Sequence, residues 1–199
     1  LLDSDENIAA CQPKILSYYE KTKFEYAGAA GGYIDKYGYP FCRGRVFQEL
    51  ETDNGQYNDV KEIFWATGAC MFVKASLYHK LGGLDDDFFA HMEEIDLCWR
   101  LKNAGYKIMY CPESKIYHIG GGTLPKSSAR KTYLNFRNNL SLLMKNLPKG
   151  KVFGTIFYRF FLDWVAAFKF LCDGSFADFF AVTRAHFSFL RHLPYLKKK

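Results

Sequence analysis

The chain has 199 residues, of which 49% are hydrophobic and 18% aromatic; this excludes disorder and leaves room for one packed domain with an appendage. The net charge of +6 is divided, with 12 basic and 18 acidic side chains in residues 1–113 and 15 basic and 3 acidic ones in residues 114–199. Nine Lys or Arg and no acid lie between Glu113 and Asp163, which predicts an anionic partner such as phosphate or lipid headgroups; because these cations alternate with Leu, Phe and Ile, nucleic acid is excluded as the partner.

Taken from the start, LLDSDENIAACQPKIL predicts a helix end, a turn at Asp5, Glu6 and Asn7, and a short buried strand over residues 9–11, so the chain reads as cut from a longer one. Residues 24–60, rich in Gly and Tyr, predict a long irregular excursion: a binding loop or lid, or a plain surface insertion. FWATGACMFVK, residues 64–74, predicts a buried strand, and residues 75–81 a short helix stopped by Gly82 and Gly83. Residues 93–104 predict a helix with Gly105 as its C-cap, and residues 106–112 a strand ended by Pro112. A further helix is predicted over residues 131–146, ending before Pro148. This order of strands and helices belongs to an α/β protein.

Beyond residue 150 the pattern changes. VFGTIFYRFFLDWVAAFKFL is apolar almost all round, broken by Arg159, Asp163 and Lys169, and the tail RHLPYLKKK is basic and aromatic. These residues predict amphipathic helices that need a partner, either a membrane interface or the main domain. No apolar run reaches the roughly 20 residues a spanning helix needs. Cys11, Cys42, Cys70, Cys98, Cys111 and Cys172 form no Cys-x-x-Cys or Cys/His ligand pair; reduced thiols in a cytoplasmic protein are expected, and the start of the chain shows no signal peptide.

The densest chemistry lies in residues 82–100, GGLDDDFFAHMEEIDLCWR, which hold six carboxylates. Asp85, Asp86 and Asp87 lack the alternating ligands and central Gly of an EF-hand, and Asp86 and Asp87 read as solvated acids at a turn. At helical spacing Glu94 falls in line with Leu97, Cys98 and Leu101, on the stripe that faces the core. An apolar setting and the neighbouring Glu93 raise a carboxylate toward the range of a general base; the other reading is a buried Glu satisfied by a backbone amide or an Arg. Asp96 and Arg100, four apart, are expected to pair. His118 opens HIGGGT, whose glycines 120–122 let a large anion approach the backbone; no Gly-x-Ser-x-Gly nucleophile accompanies it, which removes an esterase.

The ordered blocks ATGACMFVKASLYHKLGGLDDDFFAHMEEIDLCWRLKNAGY, YHIGGGT and FRNNL resemble the C-terminal half of inverting family 2 glycosyltransferases, in particular the rhamnosyltransferase-like members that build bacterial surface polysaccharides. The resemblance covers roughly residues 5–150. It implies an α/β, partial GT-A fold, a mixed sheet with flanking helices over residues 1–149, followed by the helical appendage 150–199. It also implies Glu94, with Glu93, as the catalytic base, although the family has Asp at the second position of that pair. Asp85 is implied to be an acceptor-pocket acid and His118 to hold the metal; Gly68 and Ala69 are expected to bind substrate, Arg137 to help neutralise the leaving diphosphate together with Lys126, Arg130 and Lys131, and Trp99 to stack on a sugar face or, as the favoured role, to pack in the core. The cofactor so implied is Mn²⁺ or Mg²⁺, and the partners are a nucleotide sugar, a glycan or lipid-linked acceptor and a membrane surface at the inner face, with a homo-oligomer as a further expectation. Asp3-Ser4-Asp5 mimics the family's Asp-x-Asp motif but reads as a turn, so the donor-binding half is expected upstream of Leu1. The competing expectations are a glycan- or membrane-binding module without catalysis and a metal-dependent hydrolase.

Overall fold

Ile8–Ser17 is buried at every position but the last, the pattern of a strand covered on both faces, and it forms β1 at the interior of a four-stranded sheet. The computed structural model describes residues 1–120 and 128–198. The chain divides into two units, Leu1–Asp85 with Glu93–Gly122, and Asp86–Met92 with Thr123–Lys199.

The first unit continues through β2 (Gly32–Ile34), β3 (Pro40–Cys42), β4 (Arg45–Val46), β5 (Glu49–Leu50), β6 (Lys61–Ile63), β7 (Phe72–Val73), α1 (Ala75–Lys80), α2 (Glu93–Asn103) and β8 (Lys107–His118). Its main sheet runs β6-β8-β1-β7; β8 is parallel to β1, whereas β7 and β6 are antiparallel to their neighbours. The α/β class with a mixed sheet and flanking helices is therefore the observed one.

Four local expectations are corrected. The first strand is ten residues long, far beyond residues 9–11. Pro112 does not end the last strand: the β1 register steps from Pro13 opposite Cys111 to Lys14 opposite Lys115, so residues 112–114 bulge out and pairing resumes to His118. Pro13 and Pro112, which carry no backbone N–H, lie on the two strands at this step. Residues 64–74 are not one strand; they leave β6 at Phe64, turn through 67–70 and return as β7. Residues 24–60 are not wholly irregular, since β2–β3 and β4–β5 form two small antiparallel sheets. The segment is also bonded to β1, where Ile15 N–H donates to the Ala29 carbonyl and Glu25 N–H to the Ile15 carbonyl.

Period two puts Gln12 and Lys14 on one face of β1, and both are fully buried. Lys14 Nζ donates to both oxygens of Asp53, at 2.8 and 2.7 Å, and to Asn58 Oδ1 at 2.7 Å. With the Lys14 side chain only 1% exposed, Asp53→Ala is expected to destabilise the fold by about 3–5 kcal/mol, because an ammonium is left without its counter-charge. Urea unfolding checks this, and the double change Lys14→Met with Asp53→Ala is expected to recover most of the loss.

The second unit holds α3 (Ala129–Asn146), α4 (Lys149–Cys172) and α5 (Phe176–Leu196). Ser128 caps α3, accepting the Lys131 N–H at 3.2 Å. Leu140, Phe189 and Leu196 form its apolar centre with Met144, Ile156, Phe160 and Leu193. Helix α4 is amphipathic in an inverted sense. Arg159 and Asp163, which interrupt its apolar sequence, are 2% and 0% exposed, whereas Phe153, Phe157 and Phe161 are 82%, 70% and 62% exposed. Arg159 Nη2 reaches Asp163 Oδ1 at 3.3 Å, Arg159 also bonds Asn139, and His186 Nε2 lies 3.2 Å from Asp163 Oδ2. The buried charges are thus joined in one network, as burial demands. Among the described residues no helix is long and apolar enough to cross a membrane.

Candidate active site

The site is built where α2 begins, beside the turn that follows β6. Gln12, from the middle of β1, accepts the Thr67 N–H at 2.9 Å and donates Nε2–H to the Gly28 carbonyl at 3.1 Å. One buried amide thereby fixes two turns. Gly28 has φ +89°, and a Cβ there would lie 2.5 Å from the Thr67 side chain, so these turns pack as closely as they do only with glycine. One turn into α2, Cys98 Sγ accepts the Ala66 N–H at 3.4 Å and holds the helix to the same loop.

Gly68 and Ala69 follow Thr67 in this loop, and Ala69 N–H donates to Thr67 Oγ1 at 3.2 Å. Gly68 lies against the carboxyl group of Glu94: a Cβ on it would stand 4.0 Å from Glu94 Cδ and Oε1. Glu94 Oε2 is enclosed without a hydrogen-bond partner, and so is Glu93 Oε2. Burial, and then the charge of Glu93, push the Glu94 carboxyl from 4.5 up to about 7, against the pull of the Gly68 amide and the helix-start amides of Glu94 and Ile95. A carboxyl poised near neutrality has the proton affinity a general base requires.

The remainder of α2 anchors this corner. Asp96, whose side chain is fully buried, accepts Arg100 Nε–H at 2.8 Å, the expected pair, and Arg100 also donates to the carbonyls of Leu81 and Gly83. Asp85 is half-buried beyond that turn. Trp99 is 9% exposed and meets Phe64 edge-on at 5.2 Å, a position that commits its ring to packing. The turn at the chain's start is closed by Ser4 Oγ on the Leu1 carbonyl and by Asp5 accepting the Asn7 N–H, both at 2.8 Å.

His118 ends β8 opposite Ser17. Its Nδ1 lies 2.6 Å from Glu25 Oε2, and a Cβ on Gly120 would lie 2.5 Å from Glu25 Oε1, so the glycine makes room for the carboxylate behind the imidazole. A carboxylate on Nδ1 selects the tautomer that leaves the Nε2 lone pair available, the arrangement of an oriented metal ligand. His118 therefore fits as one ligand. Among the described residues no group of three His, Cys, Asp or Glu is placed to hold a metal by itself. Gly121, Gly122, Thr123 and Lys126 lie outside the described residues.

Arg137 belongs to the second unit, where it and Asn138 grip the segment that runs into α2. Arg137 Nη2 donates to the carbonyls of Asp87 and Phe88 at 3.0 and 3.1 Å. Asn138 Nδ2 shares its two hydrogens among the carbonyls of Phe88, Ala90 and His91 at 2.8–2.9 Å. In this segment Phe89, His91 and Met92 have φ of 63°, 68° and 73°, a left-handed run that needs outside bonds to persist. His91, with Nε2 enclosed and unpartnered, is held below its ordinary imidazole pKa by burial and then by Lys131. Asn138 and His91 were not recognised from sequence, because side chain to carbonyl clamps leave no periodic signal.

No protein-family model matches the chain. It is 34% identical over 58 residues, 29% of this chain and 19% of the relative, to an N-acetylglucosaminyl-diphospho-decaprenol L-rhamnosyltransferase of Mycobacterium tuberculosis. Over 103 residues, 50% of this chain and 34% of the relative, it is 29% identical to the low-salt glycan biosynthesis hexosyltransferase Agl10 of Haloferax volcanii. Among solved structures it is similar to GalNAc-T7, determined with UDP, GalNAc and Mn²⁺, at 16% identity and a TM-score of 0.46, covering 72% of this chain and 27% of that one. The chain spans between about a fifth and a third of the length of these curated relatives. Both of these curated relatives are sugar transferases by name.

Proposed function

We propose that this chain is the acceptor-side part of an inverting, nucleotide-sugar-dependent glycosyltransferase of family 2, rhamnosyltransferase-like and of GT-A fold, whose donor-binding half precedes Leu1. The observation that carries the proposal is the enclosed Glu94 carboxyl at about 7, set against Gly68 at the start of α2. The likeness to a rhamnosyltransferase and a hexosyltransferase supports it.

In this mechanism Glu94 takes the proton of an acceptor hydroxyl as the oxygen attacks the anomeric carbon of the donor. The bond from that carbon to the diphosphate breaks on the opposite face, and the configuration inverts in one displacement. Glu93 keeps the Glu94 pKa high through its charge. Asp85, Gly68 and Ala69 are assigned to the acceptor pocket and Arg137 to holding the backbone of Asp87 and Phe88, in the segment that leads into α2. A divalent Mn²⁺ or Mg²⁺, with His118 Nε2 as one of its ligands, supplies charge neutralisation to the leaving diphosphate when bound. The relative's diphospho-decaprenol acceptor leads us to propose a lipid-linked glycan acceptor and a place at the inner membrane face, in surface polysaccharide synthesis. The outward aromatic face of α4 supports the membrane part of this proposal.

The test is a donor panel with Mn²⁺ and membrane-glycan acceptor, using the longest gene product that contains this chain and reading both nucleoside-diphosphate release and the anomeric configuration of the product. Release that depends on acceptor, with an inverted product, is expected. Free sugar without acceptor identifies a hydrolase, and no release by folded protein leaves the binding module.

A further inference from the structure

Helices α3 and α5 enclose a cleft of about 470 Å³ that holds three guanidinium groups: Arg130 and Arg137 on α3 and Arg184 on α5. Among the described residues none of the three is paired with a carboxylate. The acid closest in sequence on α5, Asp178, is engaged by the hydroxyls of Thr132, at 2.6 Å, and Ser175. The Tyr133 ring lies between two of the cations, 5.6 Å from Arg137 and 5.4 Å from Arg184, and Phe89 lies 5.1 Å from Arg130. Cation–π contact offsets part of the mutual repulsion, yet three like charges in one cleft call for a bound anion of more than one charge. Guanidinium forks match phosphate oxygens in geometry as well as in charge.

The rest of the lining is apolar. Leu134, Ala177, Ala181 and Phe180 complete the wall, and Phe180 continues outward as a ring 59% exposed. An inorganic anion makes no use of that wall. We infer that the cleft binds a diphosphate ester carrying an apolar chain, with Arg130, Arg137 and Arg184 on the diphosphate and Phe180 against the chain. It is thus the anchoring subsite for the lipid-linked acceptor, an assignment that rests on the acceptor class proposed above.

The probe is farnesyl diphosphate, titrated calorimetrically into the full 199-residue chain, beside farnesol, inorganic diphosphate and UDP. Farnesyl diphosphate is expected to bind most tightly, and the double change Arg130→Gln with Arg184→Gln, both at exposed positions, to weaken it by about 30-fold or more at an unchanged unfolding temperature. Arg184→Lys is expected to lie between the two. Equal affinity in the double variant overturns the inference. So does farnesol or inorganic diphosphate binding as tightly as the ester, since either makes half of the cleft idle; tighter binding of UDP reassigns it to the donor. Glu94→Gln is expected to bind the probe normally. Binding without any sugar transfer contradicts the proposed function and leaves this cleft standing, whereas transfer with no probe binding contradicts the cleft alone.

Discussion

Glu94→Gln is expected to reduce acceptor-dependent transfer by about 10²–10⁴-fold while making the chain more stable above neutral pH. Both effects come from one cause. Burial and Glu93 hold the Glu94 carboxyl at about 7 in the folded chain against an ordinary 4.5, so the folded state keeps a proton that the unfolded state has released. The stability tied to that proton is complete below 4.5 and is lost as pH rises through about 7. Glutamine is uncharged at every pH. Its unfolding temperature is therefore expected to be close to wild type near pH 5 and to exceed it at pH 8, where the difference in free energy is about 3 kcal/mol. Thermal unfolding at the two pH values reads this directly, and a variant less stable at pH 8 contradicts an enclosed, strained carboxylate.

The second large effect is expected at Asn138. Its amide donates to the carbonyls of Phe88, Ala90 and His91, the first of which it shares with Arg137 and the Ala90 N–H, and its side-chain oxygen accepts the Arg137 Nε–H at 2.8 Å. Asn138→Ala takes the side-chain donor from the carbonyls of Ala90 and His91 and the acceptor from Arg137 Nε–H, a loss of about 2–4 kcal/mol. The consequence should be local as well as global, because the left-handed residues Phe89, His91 and Met92 lose the bonds that offset their backbone strain. Amide hydrogen exchange in residues 87–92 is expected to accelerate, and transfer to fall, since Glu93 and Glu94 follow directly in the chain. Asn138→Asp is expected to be at least as damaging, with a carboxylate facing three carbonyl oxygens. Unchanged exchange in that segment would show that the clamp is dispensable.

Where one residue's surroundings lie within a few turns of itself, the sequence was sufficient. Glu94 was located on the inward stripe of α2 by helical spacing, and the Asp96–Arg100 pair by its separation of four. Gly82 and Gly83 stopped α1 as expected, and the α/β class followed from the order of elements. The misses share a different origin. Pro112 is a sound strand terminator locally, but the β1 register shift lets it bulge out and the strand continue. Residues 24–60 look like a loop because their short strands alternate with Gly and Tyr, and their order comes from β1 and the buried Lys14–Asp53 pair. Arg159 and Asp163 resembled breaks in an apolar helix, although they point inward to Asn139 and His186. That inversion depends on partners 20 and 23 residues distant, which no periodicity reports.

The central claim, that Glu94 removes the acceptor proton, is tested most directly by the initial rate of acceptor-dependent nucleoside-diphosphate release between pH 5.5 and 8.5, measured for the longest gene product and its Glu94→Gln variant side by side. The account predicts a wild-type rate that rises through an apparent pKa near 7, and a variant rate that is low across the range, with acceptor binding retained. A variant that turns over like wild type with the same pH profile would contradict it.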